Sequence, residues 1–294
     1  MLGTDSPGFL YRNIIFPCTF AFIHLNAMED IRITYIQSSL HWEDPDANLK
    51  MLGAKIGEAP ETDLLILPEM FSTGFSMKPE LFAQDMNGSS VHWMKEMAQH
   101  KKCAITGSII VREGGRFYNR LIWMRADGSL VYYDKRHLFR FGGEHEHYTA
   151  GTEKLCIQLK GWNIRPLICY DLRFPVWSRN RWKKRNEVPE AEYDLLLYTA
   201  NWPERRNFAW KTLLLARAIE NQAYVAGVNR VGTDGTGLSH TGDSVLINYK
   251  GDVLSKPNSG LEMQETILLS ASELAAFRAS FPAGMDADQF TIKA

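Results

Sequence analysis

The sequence predicts a single α/β domain, and three observations carry that reading. Short apolar runs without alternation, "TDLLILPEM" (62–70), "GWNIRPLIC" (161–169) and "YDLLLYTANW" (193–202), are the mark of strands covered on both faces. Segments with apolar residues at helical spacing lie between such runs, so strands and helices interleave. The rhythm of the first half returns in the second with no shared register and no short repeat, which points to one domain with two halves of similar layout.

In chain order, "IRITYIQ" (31–37) alternates as a strand does. "DPDANLKMLGAKIGEA" (44–59) opens on aspartate and proline and keeps helical spacing, so it reads as a helix. The strand at 62–70 follows, then an amphipathic helix, "SSVHWMKEMAQHKKC" (89–103), and a strand, "AITGSIIV" (104–111). Residues 116–139 read as a hairpin turning at Asp127-Gly128. The strand at 161–169 leads to a helix expected near Arg173, and the basic run 179–192 is expected to be a solvated helix end and loop. After the strand at 193–202, "RRNFAWKTLLLARAIENQ" (205–222) is rich in good helix formers. Strands at 223–232 and 265–271, with a hairpin at 242–256 turning at Gly251-Asp252, complete the pattern.

The 294 residues carry 33 basic against 34 acidic side chains, a formal net charge of -1. That balance gives no electrostatic reason to expect nucleic acid or an anionic membrane as partner. No run reaches the roughly 20 apolar residues of a membrane-spanning helix. The four cysteines, Cys18, Cys103, Cys156 and Cys169, show no CxxC spacing, which fits a reducing compartment and argues against zinc or a disulfide framework. A cytoplasmic protein acting on a small molecule is expected. Residues 1–27 superficially resemble a secretory signal, but Leu25, Asn26 and Ala27 match a small-x-small cleavage site poorly. They read as a translated leader or disordered extension, with Met28 as the natural start and 28–294 as the domain.

In sheets of this class, active sites gather where loops leave the carboxyl ends of strands. Glu69 follows "LLILP", Lys135 closes "LVYYD" and Cys169 closes "IRPLI". Each alone reads most simply as a loop carboxylate, a solvated cation or a core thiol. Together they form a chemically sensible set. A carboxylate can take a thiol proton, a thiolate can attack a carbonyl carbon, and an ammonium can hold the negative charge that develops on oxygen.

The segments "LLILPEMFSTGF", "YDKRHLF", "PLICYDLRFPVW" and "LLLARAIENQAYVAGVNRVG" closely resemble the nitrilase superfamily of carbon–nitrogen hydrolases, and within it the omega-amidase branch. The resemblance runs from Met28 to about Phe290. It implies a four-layer αββα sandwich and a Glu–Lys–Cys triad, carried by motif onto Glu69, Lys135 and Cys169. It also implies a second glutamate seven residues before a glycine, which is Glu144 before Gly151. Glu144 would orient Lys135 or the incoming amide. His145 and His147 flank Glu146 in a way that could suggest metal, but without a distant third ligand they read as loop and packing residues. Neither a metal nor another cofactor is expected.

The chemistry implied is attack by Cys169, a thioester intermediate, and hydrolysis of that thioester, with Glu69 as acid and base. Lys135 and the backbone N–H of Tyr170 would hold the oxyanion, and the neighbouring lysine is expected to depress the thiol pKa. Arg173 could face a substrate carboxylate or could pair internally with Asp171 or a loop carboxylate, and both readings stay open. Phe141, Trp202 and Tyr148 could line a short pocket. Such a pocket suits a short dicarboxylic acid with a terminal amide, and by resemblance that means 2-oxoglutaramate or 2-oxosuccinamate. The alternatives are a nitrilase, an N-carbamoyl amino acid hydrolase or an aliphatic amidase, or a catalytically silent, partner-binding member. A homodimer or larger homo-oligomer is expected, since oligomers are usual in the family.

Overall fold

The computed structural model describes residues 28–185 and 188–292. The expected leader, and Cys18 within it, lie outside the described residues. The first half contains β1 (Ile31–Gln37), α1 (Pro45–Glu58), β2 (Leu64–Ile66), α2 (Pro79–Phe82), α3 (Ser89–Lys101), β3 (Ala104–Glu113), β4 (Arg116–Met124), β5 (Leu130–Asp134) and α4 (Glu144–His147). Then come β6 (Ile157–Leu159), β7 (Trp162–Ile168), α5 (Pro175–Ser178), β8 (Trp182–Arg185), β9 (Val188–Ala191), β10 (Leu195–Thr199) and α6 (Asn207–Asn221). The chain continues through β11 (Tyr224–Val228), β12 (Val231–Thr233), β13 (Ser239–Thr241), β14 (Val245–Ile247), β15 (Met263–Leu269) and α7 (Ala271–Ser280).

Two sheets dominate, in the orders β15-β1-β2-β3-β4-β5 and β14-β11-β10-β7-β6. In each, a parallel core (β1, β2, β3 and β7, β10, β11) is flanked by antiparallel strands. Alternation along the first sheet decides the layers. Ile36, Leu65, Ile105 and Ile122 pack against Leu49 and Leu52 of α1 and Met94 and Ala98 of α3. Ile33, Tyr35, Leu121 and Trp123 instead join Trp162, Ile164 and Leu195 of the second sheet in one buried cluster. Trp210, Leu214 and Ala218 of α6 belong to that cluster too, so helix, sheet, sheet and helix stack in the expected αββα order. No helix among the described residues is long and apolar enough to cross a membrane.

Local chemistry explains the element ends. The Asp44 carboxylate caps α1 by accepting from Ala47 N at 3.1 Å, and Pro45 sits in the first turn, where its missing N–H costs nothing. The hairpin β4–β5 turns at Asp127-Gly128, as the sequence predicts, with Gly128 at φ +84°.

Four expectations need correction. Residues 179–192 are not a helix end and loop but contain the hairpin β8–β9, in which Trp182 pairs with Ala191 and Lys183 lies 4.0 Å from Glu190. One basic residue of the run, Lys183, stands opposite an acidic one, Glu190, a pairing that a count of charges hides. No helix starts at Arg173; Cys169–Arg173 is a 3-10 turn, followed by the four-residue α5. The strand expected over 223–232 breaks after Val228, and β12 turns away to pair with β13. The hairpin at 242–256 retains only β14 and a single bridge from Ile247 to Val253 around Gly251.

Gly227 marks how tightly α6 sits on the second sheet. A Cβ there would stand 2.4 Å from Leu214 Cδ1 and 2.9 Å from Trp210 Cζ2. Gly227→Ala is expected to destabilise the fold by about 1–3 kcal/mol, read from the denaturant midpoint at an unchanged m-value.

Candidate active site

Glu69, Lys135 and Cys169 follow three strands drawn from the two sheets. The chain leaves β2 and turns at Met70, whose φ of +44° is held by its N–H donating to Ser108 Oγ at 2.8 Å; Glu69 lies just before that turn. Lys135 is the first residue after β5, with its N–H bonded to Asn119 O at 3.0 Å. Cys169 is the first residue after β7 in the second sheet and has φ +40°, a left-handed conformation that a side chain adopts at a cost. All three residues are buried.

Lys135 Nζ donates to Glu69 Oε1 at 2.7 Å and to Glu144 Oε1 at 3.0 Å, so the second glutamate joins the site as the resemblance implies. Sequence reasoning missed Asn119. From the middle of β4, its Nδ2 donates to Glu69 Oε1 at 2.8 Å and to Glu144 Oε1 at 3.0 Å, bridging the two carboxylates. It missed Asn201 as well. The Asn201 backbone N–H donates to Glu69 Oε2 at 2.8 Å, and its side-chain amide donates to the Glu69 carbonyl. No polar pattern betrays Asn119, since an amide in a strand interior reads as any solvent-facing residue. Asn201 could have been suspected only from its place beside Trp202 at the end of β10.

The nucleophile's turn is held from below. Asp171 Oδ2 accepts from Tyr133 OH at 2.8 Å and from Ile168 N at 3.1 Å. Its Oδ1 accepts from His137 N at 2.9 Å and lies 2.8 Å from His137 Nδ1. Asp171 is therefore occupied with the turn and is no partner for Arg173. The N–H of Tyr170 lies in the first turn of a 3-10 helix, where backbone donors have no intrahelical acceptor.

Electrostatics overturn one expectation. Burial pushes the Cys169 thiol well above its ordinary value and the Glu69 charge adds to this, while Lys135 pulls only partly the other way. The thiol is thus held protonated, against the depression expected from a neighbouring lysine. Burial alone would lower the Lys135 pKa, but the charges of Glu144 and Glu69 outweigh it and keep the ammonium charged. Burial raises Glu144, with Lys135 opposing. The Glu69 charge acts directly on this thiol, so its carboxylate is near enough to serve as a proton acceptor.

Cys169 opens into a cavity of about 240 Å³, walled by Tyr170, Arg173, Trp202, Phe139 and Phe141 among others; of the residues expected near a substrate, Tyr170, Arg173, Trp202 and Phe141 border it. The Arg173 guanidinium lies 4.9 Å from the ring centroid of Trp202. Phe141 stands largely exposed at the mouth, whereas Trp202 is buried. Tyr148 is not on this wall; it packs with Met70 and Ile110, and its hydroxyl donates to Ser76 O at 2.6 Å. Among the described residues no group of three or more metal-ligating side chains converges, around His145 and His147 or elsewhere.

Cys169→Ala is expected to abolish turnover in a folded protein, while Cys103→Ala and Cys156→Ala keep most activity. Lys135→Met should lower kcat by roughly 10²- to 10⁴-fold. An equally dead, folded Cys103→Ala would refute the assignment. Because the thiol is held protonated, alkylation of Cys169 by iodoacetamide should quicken about tenfold per pH unit through pH 9, with no plateau near neutrality. Mass spectrometry of the labelled chain measures this directly.

Residues 32–276 match the carbon-nitrogen hydrolase family. The chain is 42% identical over 267 residues to Omega-amidase YafV of Escherichia coli, covering 90% of this chain and 100% of that one. It is 34% identical over 228 residues to the 2-oxoglutaramate amidase of Bacillus subtilis, covering 76% and 85% respectively. Its fold superposes with a TM-score of 0.87 on a CN-hydrolase superfamily protein from Xanthomonas campestris, 48% identical over 90% of this chain and 100% of that one, whose crystal structure has an arsenic adduct in the active site. With the Glu–Lys–Cys cluster at the meeting of two sheets, these likenesses show that the chain belongs to the carbon–nitrogen hydrolase family.

Proposed function

We propose that the chain is an omega-amidase, an enzyme that hydrolyses the terminal amide of short dicarboxylic acid monoamides such as 2-oxoglutaramate or 2-oxosuccinamate, to the 2-oxo acid and ammonia. One observation supports this choice within the family. The Arg173 guanidinium borders the cavity that Cys169 opens into, and no carboxylate among the described residues pairs with it. An uncompensated cation beside the nucleophile suits a substrate that brings its own carboxylate. The names of the Escherichia coli and Bacillus subtilis relatives agree with that class.

An amide is a poor electrophile, and its nitrogen must gain a proton before it departs. Cys169 Sγ bonds to the amide carbon as its proton passes to Glu69, and the carbonyl oxygen takes the negative charge. The Lys135 ammonium and the Tyr170 N–H stabilise that oxygen. The carbon–nitrogen bond then breaks, the proton on Glu69 goes to nitrogen, and ammonia leaves a thioester. Water attacks the thioester as Glu69 takes one of its protons. The carbon–sulfur bond breaks, the proton returns to sulfur, and the second carboxylate is released. Glu144 and Asn119 keep Lys135 and Glu69 in place through both halves.

The test is a substrate panel. Ammonia release from 2-oxoglutaramate should exceed turnover of N-carbamoyl amino acids and simple nitriles. Arg173→Met should raise KM for 2-oxoglutaramate by roughly 30- to 1,000-fold, with a much smaller effect on an uncharged short amide. Preference for a nitrile or a carbamoyl substrate would refute the proposal.

A further inference from the structure

A second cation borders the same cavity, and nothing in the family motif accounts for it. Arg206 ends the 3-10 turn Glu204–Arg206 that follows "NWP". The turn is fixed: Arg206 N donates to Pro203 O at 3.0 Å, and the Arg206 carbonyl accepts from Trp202 Nε1 at 2.9 Å. Its guanidinium carbon lies 5.3 Å from the ring centroid of Phe139 and 5.0 Å from that of Phe141. Nη1 is buried and has no hydrogen-bond partner.

The carboxylates nearby are engaged elsewhere. Glu69 and Glu144 hold Lys135, and Asp234 on the cavity wall accepts from Thr236 N at 2.9 Å, Thr236 Oγ1 at 2.7 Å and Leu238 N at 3.0 Å. Among the described residues none forms an ion pair with Arg206, Arg205 or Arg173, so three guanidinium groups border one cavity without a counter-ion. Burial, and then the charges of Arg205 and Arg173, lower the Arg206 pKa, as expected for cations gathered with nothing between them. Cations gathered without a counter-ion repel one another, and an incoming anion removes that cost.

We propose that Arg206 and Arg173 form a two-guanidinium clamp on the ionised carboxylate of the substrate, and that Arg206 is a specificity-determining residue selecting carboxylate-bearing amides over neutral ones. This rests on the omega-amidase reading and adds to it the second half of the anion site. Arg173 stacks on Trp202 and Arg206 on Phe139 and Phe141, so each is held by ring faces while its N–H groups stay available for oxygen.

The experiment compares wild type, Arg206→Gln and Arg206→Lys on 2-oxoglutaramate and on butyramide. Arg206→Gln should raise KM for 2-oxoglutaramate roughly 10- to 100-fold with little change in kcat, and lower the charged-to-neutral ratio of kcat/KM by a similar factor. Arg206→Lys should recover part of that ratio. Equal losses on both substrates, or an unmoved KM, would overturn the clamp. A second readout needs no turnover: the ratio of Cys169 alkylation rates by iodoacetate and iodoacetamide at one pH. Arg206→Gln should lower this ratio about tenfold, because only the anionic reagent gains from the guanidinium. If wild type fails to hydrolyse 2-oxoglutaramate yet this ratio falls, the substrate reading fails and the anion clamp stands. If wild type hydrolyses it and the ratio is unmoved, the clamp fails and the substrate reading stands.

Discussion

One buried cation organises the site. The Lys135 ammonium lies between the carboxylates of Glu69 and Glu144, with Asn119 bridging the same two oxygens. One ammonium for two carboxylates leaves the cluster short of positive charge, and burial together with the Glu69 charge holds the nearby thiol protonated. Removing Lys135 would leave two buried carboxylates without their cation, and breaking a buried pair costs about 3–5 kcal/mol in general. The residues to which the proposed function gives the chemistry are therefore also among those the interior can least do without.

The walls of the cavity hang from this cluster. Glu144 accepts from the backbone N–H of Phe139, which fixes the start of the aromatic segment 139–141. Glu69 accepts from Asn201, and the next residue, Trp202, donates its backbone N–H to Asn229 Oδ1 at 2.8 Å and underlies Arg173. Acid–base chemistry and substrate contacts are thus linked through a few short hydrogen bonds. These bonds also cross the sheets: Tyr133 of the first reaches Asp171 beyond the end of the second, and Asn201 beyond β10 reaches Glu69 beyond β2. The candidate active site is a seam between the two halves.

How much of this was legible depended on the kind of information required. Glu69, Lys135 and Cys169 could be read because each ends an apolar strand, and a thiol, a base and a cation in such places suggest chemistry. Glu144 needed the family resemblance, since in "GGEHEHYTAG" nothing separates it from Glu146 by type alone. Asn119 and Arg206 act through neighbours brought in from distant segments, so no local pattern marks them. The thiol pKa was misjudged for a related reason. A nearby lysine can be guessed from the motif, but the loss of solvent that outweighs it depends on the packing of both sheets. The hairpin at β8–β9 was hidden in a basic run because its strands are short and Glu190, which stands opposite Lys183, comes later in the chain.

The left-handed backbone at Cys169 separates the interests of the fold from those of the reaction. A side chain held there costs of order 1–3 kcal/mol, whereas glycine takes up that geometry freely. For folding alone, the nucleophile occupies one of the least suitable positions for a residue with a Cβ. A lineage that abandoned catalysis while keeping the scaffold would gain stability by drifting to glycine at this point. Under the proposed function, a cysteine stands at this point for its chemistry and against the preference of the backbone.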